Sequence, residues 1–73
     1  MVDFPLLPGD EFVELYKVLK VQGLVGGGGE ARHVITEGQG TVNGDVDTRK
    51  RKKCVVGDVI SFNGQTIKIV AAI

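Results

Sequence analysis

The sequence predicts an α+β domain in which two N-terminal helices pack on a small antiparallel sheet of two hairpins. Three observations lead there. Apolar residues recur at helical spacing between residues 10 and 37. The spacing changes to strict alternation after Gly38. Two Asn-Gly pairs, Asn43-Gly44 and Asn63-Gly64, interrupt that alternating region, and Asn-Gly is the strongest local signal for a two-residue hairpin turn.

Taken in order, residues 1–9 read as an extended lead-in, because Pro5 and Pro8 hold the residues before them out of helical geometry. Asp10 suits the N-cap of the first helix, with Glu11 and Glu14 in a first turn where the helix dipole favours carboxylates. Phe12, Leu15, Tyr16 and Leu19 then recur at i, i+3, i+4 and i+7 as one apolar stripe. Lys17 and Lys20 share a flank of that stripe, and the helix is expected to run to about Val21 and stop at Gly23.

The run of four glycines at 26–29 has the look of a phosphate-cradling loop. A dinucleotide site needs a strand-turn-helix unit around it, and a Walker loop needs a following Lys-Ser or Lys-Thr. Neither is present, so the run reads as a tight connection between helices. Gly27 serves as N-cap of the second helix, with Glu30 placed to reach back to the Gly27 N–H. Ala31, Val34 and Ile35 form its buried face, Arg32 and Thr36 project from one side, His33 lies toward solvent, and Gly38 closes it. In the sheet region Thr41-Val42 and Asp45-Val46 flank the first turn. Ile60 and Phe62 face inward with Ile67 and Ile69 across the second.

Seventy-three residues make a single domain, 1–73, with a small core. Cys54 stands alone at an apolar position of the strand pattern, so it is a packing residue in a chain with no internal disulfide, which favours a reducing compartment. The first residues lack the basic region of a signal peptide, and no apolar run is long enough to span a bilayer. The expected location is cytoplasmic, with no membrane partner. No nucleophile–base pair, carboxylate pair or metal-ligand cluster is legible, so neither catalysis nor a cofactor, metal or small-molecule substrate is expected.

The charge is distributed unevenly. Nine Lys and Arg balance nine Asp and Glu, yet five of the nine cations stand together as Arg49-Lys50-Arg51-Lys52-Lys53. A neutral molecule with one concentrated cationic segment suits a local encounter with a polyanion. An extended run would alternate, sending Arg49, Arg51 and Lys53 one way and Lys50 and Lys52 the other. Arg49 and Arg51 lead as phosphate ligands because guanidinium matches phosphate bidentately. Arg32 is a further candidate, and a pair with a carboxylate such as Asp47 is its ordinary alternative.

The motifs Glu30-Ala31-Arg32, Glu37-Gly38, Val42-Asn43-Gly44, Thr48-Arg49 and Gly57-Asp58, in this order and spacing, resemble the S4-like RNA-binding domain family, and within it the small free-standing YbcJ-type members. The similarity runs from about Phe12 to Val70. It implies an αL-type motif, two helices and a hairpin that grip structured RNA, ribosomal or transfer RNA being the classes in view. It also implies a basic surface made by Arg32, Arg49, Lys50, Arg51, Lys52 and Lys53, with Lys17 and Lys20 on the first-helix flank. Two positions depart from the family pattern: Gly27 replaces a Ser before helix two, and Gly40 opens the first strand to a bend or bulge. The second reading is a protein–protein adaptor whose basic run docks an acidic partner on a ribonucleoprotein, and the third a duplex-DNA binder.

Overall fold

The computed structural model describes residues 1–72; residue 73, the last of the expected domain, lies outside the described residues. The chain forms β1 (Val2–Pro5), β2 (Val13–Glu14), α1 (Leu15–Val21), α2 (Gly28–Thr36), β3 (Gly40–Val42), β4 (Asp45–Val46), β5 (Lys53–Cys54), β6 (Val59–Phe62) and β7 (Gln65–Val70). Five strands make one sheet in the order β1-β7-β6-β3-β4, and β2 pairs with β5 in a separate two-stranded ladder. This is the expected α+β architecture with two changes to its sheet.

The first change is β1. The lead-in is extended, as Pro5 and Pro8 dictate, but it also joins the sheet, pairing parallel to β7 from Val2 opposite Ile67 to Pro5 opposite Val70. An edge strand tolerates Pro5 because proline has no N–H to give to the ladder. The Leu6 N–H continues the pairing to the Val70 carbonyl at 3.1 Å, and the Leu6 side chain is buried in the core.

The second change shortens helix one, which begins at Leu15 with Glu14 as N-cap instead of running from Asp10. Val13 and Glu14 are spent in antiparallel pairing with Cys54 and Lys53. A long-range ladder has overridden the local i, i+3, i+4 pattern, and Phe12 is left partly exposed instead of joining the buried stripe. Leu15, Val18 and Leu19 carry the buried face.

Both helices end as their glycines require. Gly23 and Gly38 have φ of 71° and 79°, and each closes its helix with a pair of bonds: Gly23 to Lys20 and Leu24 to Leu19, then Gly38 to Ile35 and Gln39 to Val34. These 5→2 and 6→1 bonds satisfy carbonyls that would otherwise be orphaned. At the start of α2 the N-cap is Gly27, as expected, but the Glu30 carboxylate accepts from the Gly26 N–H at 2.9 Å, one residue upstream of the expected donor.

Both hairpins form at the Asn-Gly pairs, with φ of 54° and 88° at Asn43 and Gly44 and 50° and 80° at Asn63 and Gly64. Positive φ at both central positions matches the right-handed twist of the flanking strands. Gly40 pairs regularly with Phe62, so β3 carries no bulge against β6. One core cluster joins the helices to the sheet: Ala31, Val34 and Ile35 from α2 belong to it with Ile60, Ile67, Ile69 and the fully buried Cys54.

Candidate nucleic-acid interface

The cationic run is a turn, not an extended segment. The Lys52 N–H donates to the Arg49 carbonyl at 3.0 Å, and only Lys53 enters a strand. The expected alternation therefore does not occur. The reason lies in α1, whose N-terminus has no side-chain cap. Its first two N–H groups donate to the cationic turn instead, Leu15 to the Lys52 carbonyl at 2.9 Å and Tyr16 to the Lys50 carbonyl at 3.1 Å. Helix-start donors must find partners, and here the turn supplies them. The same bonds seat the turn on the start of α1.

Arg49, Arg51, Lys52 and Lys53 line one shallow concavity of about 450 Å³. Four like charges around one depression raise its affinity for an anion, with Asp47 offsetting only that of Arg49 at short range. Lys50 is exposed on the turn itself. Two of the five cations have carboxylate partners. Arg51 Nε lies 4.0 Å from Glu14 in an exposed setting where such a pair contributes little. Arg49 is held firmly: its Nε and Nη2 donate to the two Asp47 oxygens at 3.0 and 2.7 Å, and its own N–H donates to Asp47 Oδ1 at 2.9 Å. These bonds, opposed by burial, hold the Asp47 carboxyl below the usual carboxylate range, and they raise the Arg49 guanidinium in turn. Asp47 is thus the partner of Arg49 and not of Arg32.

Arg32 stands over the ring of Tyr16, with its guanidinium carbon 5.7 Å from the ring centre. Tyr16 is the hinge of the surface, since its N–H reaches the cationic turn while its ring carries Arg32 from α2. Sequence pattern marks Tyr16 only as part of an apolar stripe. A half-buried tyrosine four residues before a lysine and facing a second helix is the signal that could have singled it out. A Cβ at Gly28 would meet Arg32 Nη1 at 3.4 Å and Lys20 Cδ at 3.9 Å, so the bare glycine leaves both side chains room over the first turn of α2. Lys20 and Arg32 thus lie beside each other over the start of α2, and Tyr16 links Arg32 to the turn through its own N–H. Lys17 adjoins the turn through Glu14, which it shares with Arg51. Its ammonium lies 3.9 Å from Glu14, and it lines a groove against the N-terminal segment. Lys53 sits over Phe12, 5.0 Å from the ring centre, between that groove and the concavity.

The helix pair, the Asn-Gly hairpin and the basic turn stand in the order that the S4-like resemblance implies. The chain belongs to the S4 domain family, whose model matches residues 7–70. It is 46% identical over 59 residues to the Escherichia coli (strain K12) protein named "Putative RNA-binding protein YbcJ", covering 81% of this chain and 84% of that one. It is 32% identical over 60 residues to the Bacillus subtilis (strain 168) "Probable ribosome maturation protein RlbA", covering 82% of this chain and 84% of that protein. The solution structure of the E. coli YbcJ protein, described as having an αL motif involved in RNA binding, matches with a TM-score of 0.73 at 42% identity over 97% of this chain and 89% of that one. Among the described residues no helix is long and apolar enough to cross a membrane.

Proposed function

We propose that this protein binds structured RNA through phosphate contacts made by the cationic turn and its flanks. Lys50, Arg51, Lys52 and Lys53 contact the backbone directly, Arg49 holds the turn in shape through Asp47, and Arg32 and Lys20 extend the contact across the start of α2. The observation that carries this reading is the turn that seats five consecutive cations on the start of α1 in a molecule whose net charge is zero, with Arg51, Lys52 and Lys53 sharing one concavity with Arg49. Family membership supports it, as do the names of the relatives. Phosphate contacts give affinity and register but carry no sequence information, so selectivity comes from the shape of the folded RNA. Ribosomal RNA is the first class to test, because one relative is named for ribosome maturation.

Titration of folded ribosomal RNA fragments across a salt series tests the proposal. The four direct contacts of Lys50, Arg51, Lys52 and Lys53 give a slope of about −3 in log K against log salt, and those of Arg32 and Lys20 steepen it. Affinity that does not change with salt would overturn it, as would equal affinity for duplex DNA and folded RNA. The protein as purified offers a quick companion measurement. Tyr16 is the only tyrosine and tryptophan is absent, so bound RNA dominates the absorbance near 260 nm.

A further inference from the structure

A second concavity lies beside the cationic turn, not within it. A groove of about 810 Å³ runs between the N-terminal segment and α1. Its floor includes Phe4 and Leu6, and its lips carry Leu7, Phe12 and Val21. The lips are unusually bare for large apolar side chains, with Leu7 70% and Val21 64% exposed. Apolar surface gathered around a concavity and rimmed by polar groups marks an interaction site, and this volume lies in the range that holds several side chains of a ligand.

The charge around the groove opposes that of the turn. Asp10, Glu11 and Glu14 line it, with Lys17 as the one cation among its lining residues. Glu14 is offset by Lys17 at 3.9 Å and Arg51 at 4.0 Å. Asp10 and Glu11 are exposed, and among the described residues neither has an ion-pair partner. A polyanion entering the groove would meet two uncompensated carboxylates. A segment carrying apolar side chains beside Lys or Arg would meet complementary charge and a place to bury its anchors.

We propose that this groove docks a short basic-apolar segment of a second protein, so that the molecule presents one face for a polyanion and an adjoining one for a cationic partner protein. Phe12 forms the boundary, lining the groove while carrying the Lys53 ammonium over its ring. The docking does not depend on the RNA reading, and its test contains no RNA in the binding step.

The test selects a displayed library of random short peptides against the full chain, then maps the strongest binder, made synthetically, by backbone amide shifts. Enriched peptides combine Leu, Ile or Phe with Lys or Arg, and binding shifts the amides of Leu7, Phe12 and Val21. Replacing the exposed lip residue in Val21→Lys abolishes binding. The charge-reversed variant Asp10→Lys/Glu11→Lys weakens it about tenfold or more, with all other amide positions unchanged. Enrichment of acidic or uncharged peptides, or no enrichment that Val21→Lys removes, would overturn the proposal. Two further outcomes would also overturn it: shifts at Leu7 and Val21 on adding an RNA hairpin assign the groove to RNA, and self-association lost in Val21→Lys assigns it to a second copy of the chain.

Discussion

Asp47 receives three hydrogen bonds from a single residue, Arg49, two residues along the chain: two from the guanidinium and one from the backbone N–H. The carboxylate is almost fully buried and the arginine largely exposed, so the pair acts as a staple from the core to the cationic turn. Asp47→Asn keeps the volume and loses the charge-assisted bonds, at a cost of about 1–2 kcal/mol in unfolding free energy. The pH dependence follows from the direction of the shift. Asp47 titrates below its ordinary value of 3.8 in the folded state, so the native state binds fewer protons there than the unfolded chain does. The contribution is fully present above that ordinary value and disappears as pH falls through the folded one. Urea unfolding of both proteins should show a constant gap near neutral pH that closes in acid.

Because Asp47 already engages Arg49, the two can be removed together without changing net charge. The double variant Asp47→Asn/Arg49→Gln should lower stability while leaving RNA affinity within a factor of about three, since no phosphate contact is lost. Lys50→Gln/Lys52→Gln should do the reverse. It leaves the melting temperature nearly unchanged and reduces the salt slope by about 1.5, the share of two contacts. Fluorescence anisotropy with a folded RNA at several salt concentrations separates these outcomes. A larger affinity loss accompanied by a salt slope reduced by one contact's share would make Arg49 a direct phosphate ligand, whereas a loss at unchanged slope traces to the shape of the turn.

The two Asn-Gly turns look alike in sequence but carry different loads. Asn43 accepts the Val59 N–H at 2.9 Å and donates to Asp58 at 3.0 Å, and Asp58 also accepts the Val55 N–H at 2.9 Å. Asn43 thus ties the first hairpin to the turn before β6, whereas no side-chain hydrogen bond is made by Asn63 among the described residues. Glycine satisfies the positive φ at either position. Asn63→Gly should therefore cost only a few tenths of a kcal/mol, and Asn43→Gly about 1–2 kcal/mol through its lost side-chain bonds. Denaturant midpoints of the two variants, measured side by side, read the difference directly.

Position 27 is open to improvement. Gly27 is the N-cap of α2, its φ of 177° is extended backbone that any residue adopts, and a Cβ there meets nothing within 4 Å. Gly27→Ser supplies a side-chain oxygen that can bond the free N–H groups at the helix start. It also removes unfolded-state freedom, so stability should rise by about 0.5 kcal/mol and the melting temperature by roughly 2–4 °C. A melting temperature that falls would mean that the glycine run needs a conformation no side chain permits.

What the sequence revealed and what it hid divide along the range of the contacts. Gly23, Gly38 and the Asn-Gly pairs act within a few residues, so the helix ends and hairpins were legible. The strand Val2–Pro5 was not, because parallel pairing with a segment more than sixty residues away leaves no local periodicity and its proline argues against a strand. The start of α1 failed for the same reason: Val13 and Glu14 are taken by partners forty residues on. That one error carried through to the site. Seating the cationic run on α1 turns an expected alternating strand into a turn and gathers four cations around one concavity. Arg32 was visible as a basic position, but its support, the Tyr16 ring, depends on the packing of two helices.

Cys54 supplies a reporter for the joint between the two-stranded ladder and the core. It is fully buried, its thiol contacts the Lys52 carbonyl at 3.7 Å, and it pairs across the ladder with Val13. Burial foremost, with a smaller push from the Asp58 charge, raises its pKa to about 11. At pH 8 only about one thiol in a thousand is then ionised in the folded state, and the thiolate is the reactive form. Alkylation should therefore proceed through opened molecules, in which the thiol regains ordinary acidity and access. The labelling rate should fall as stability rises: slower in Gly27→Ser than in the wild type and faster in Asp47→Asn, each by the factor its unfolding free energy predicts. Mass-spectrometric labelling with iodoacetamide at fixed pH tests this. Equal rates in all three proteins would mean that the β2–β5 ladder opens locally without unfolding the domain, releasing the cationic turn from α1 while the main sheet stays intact.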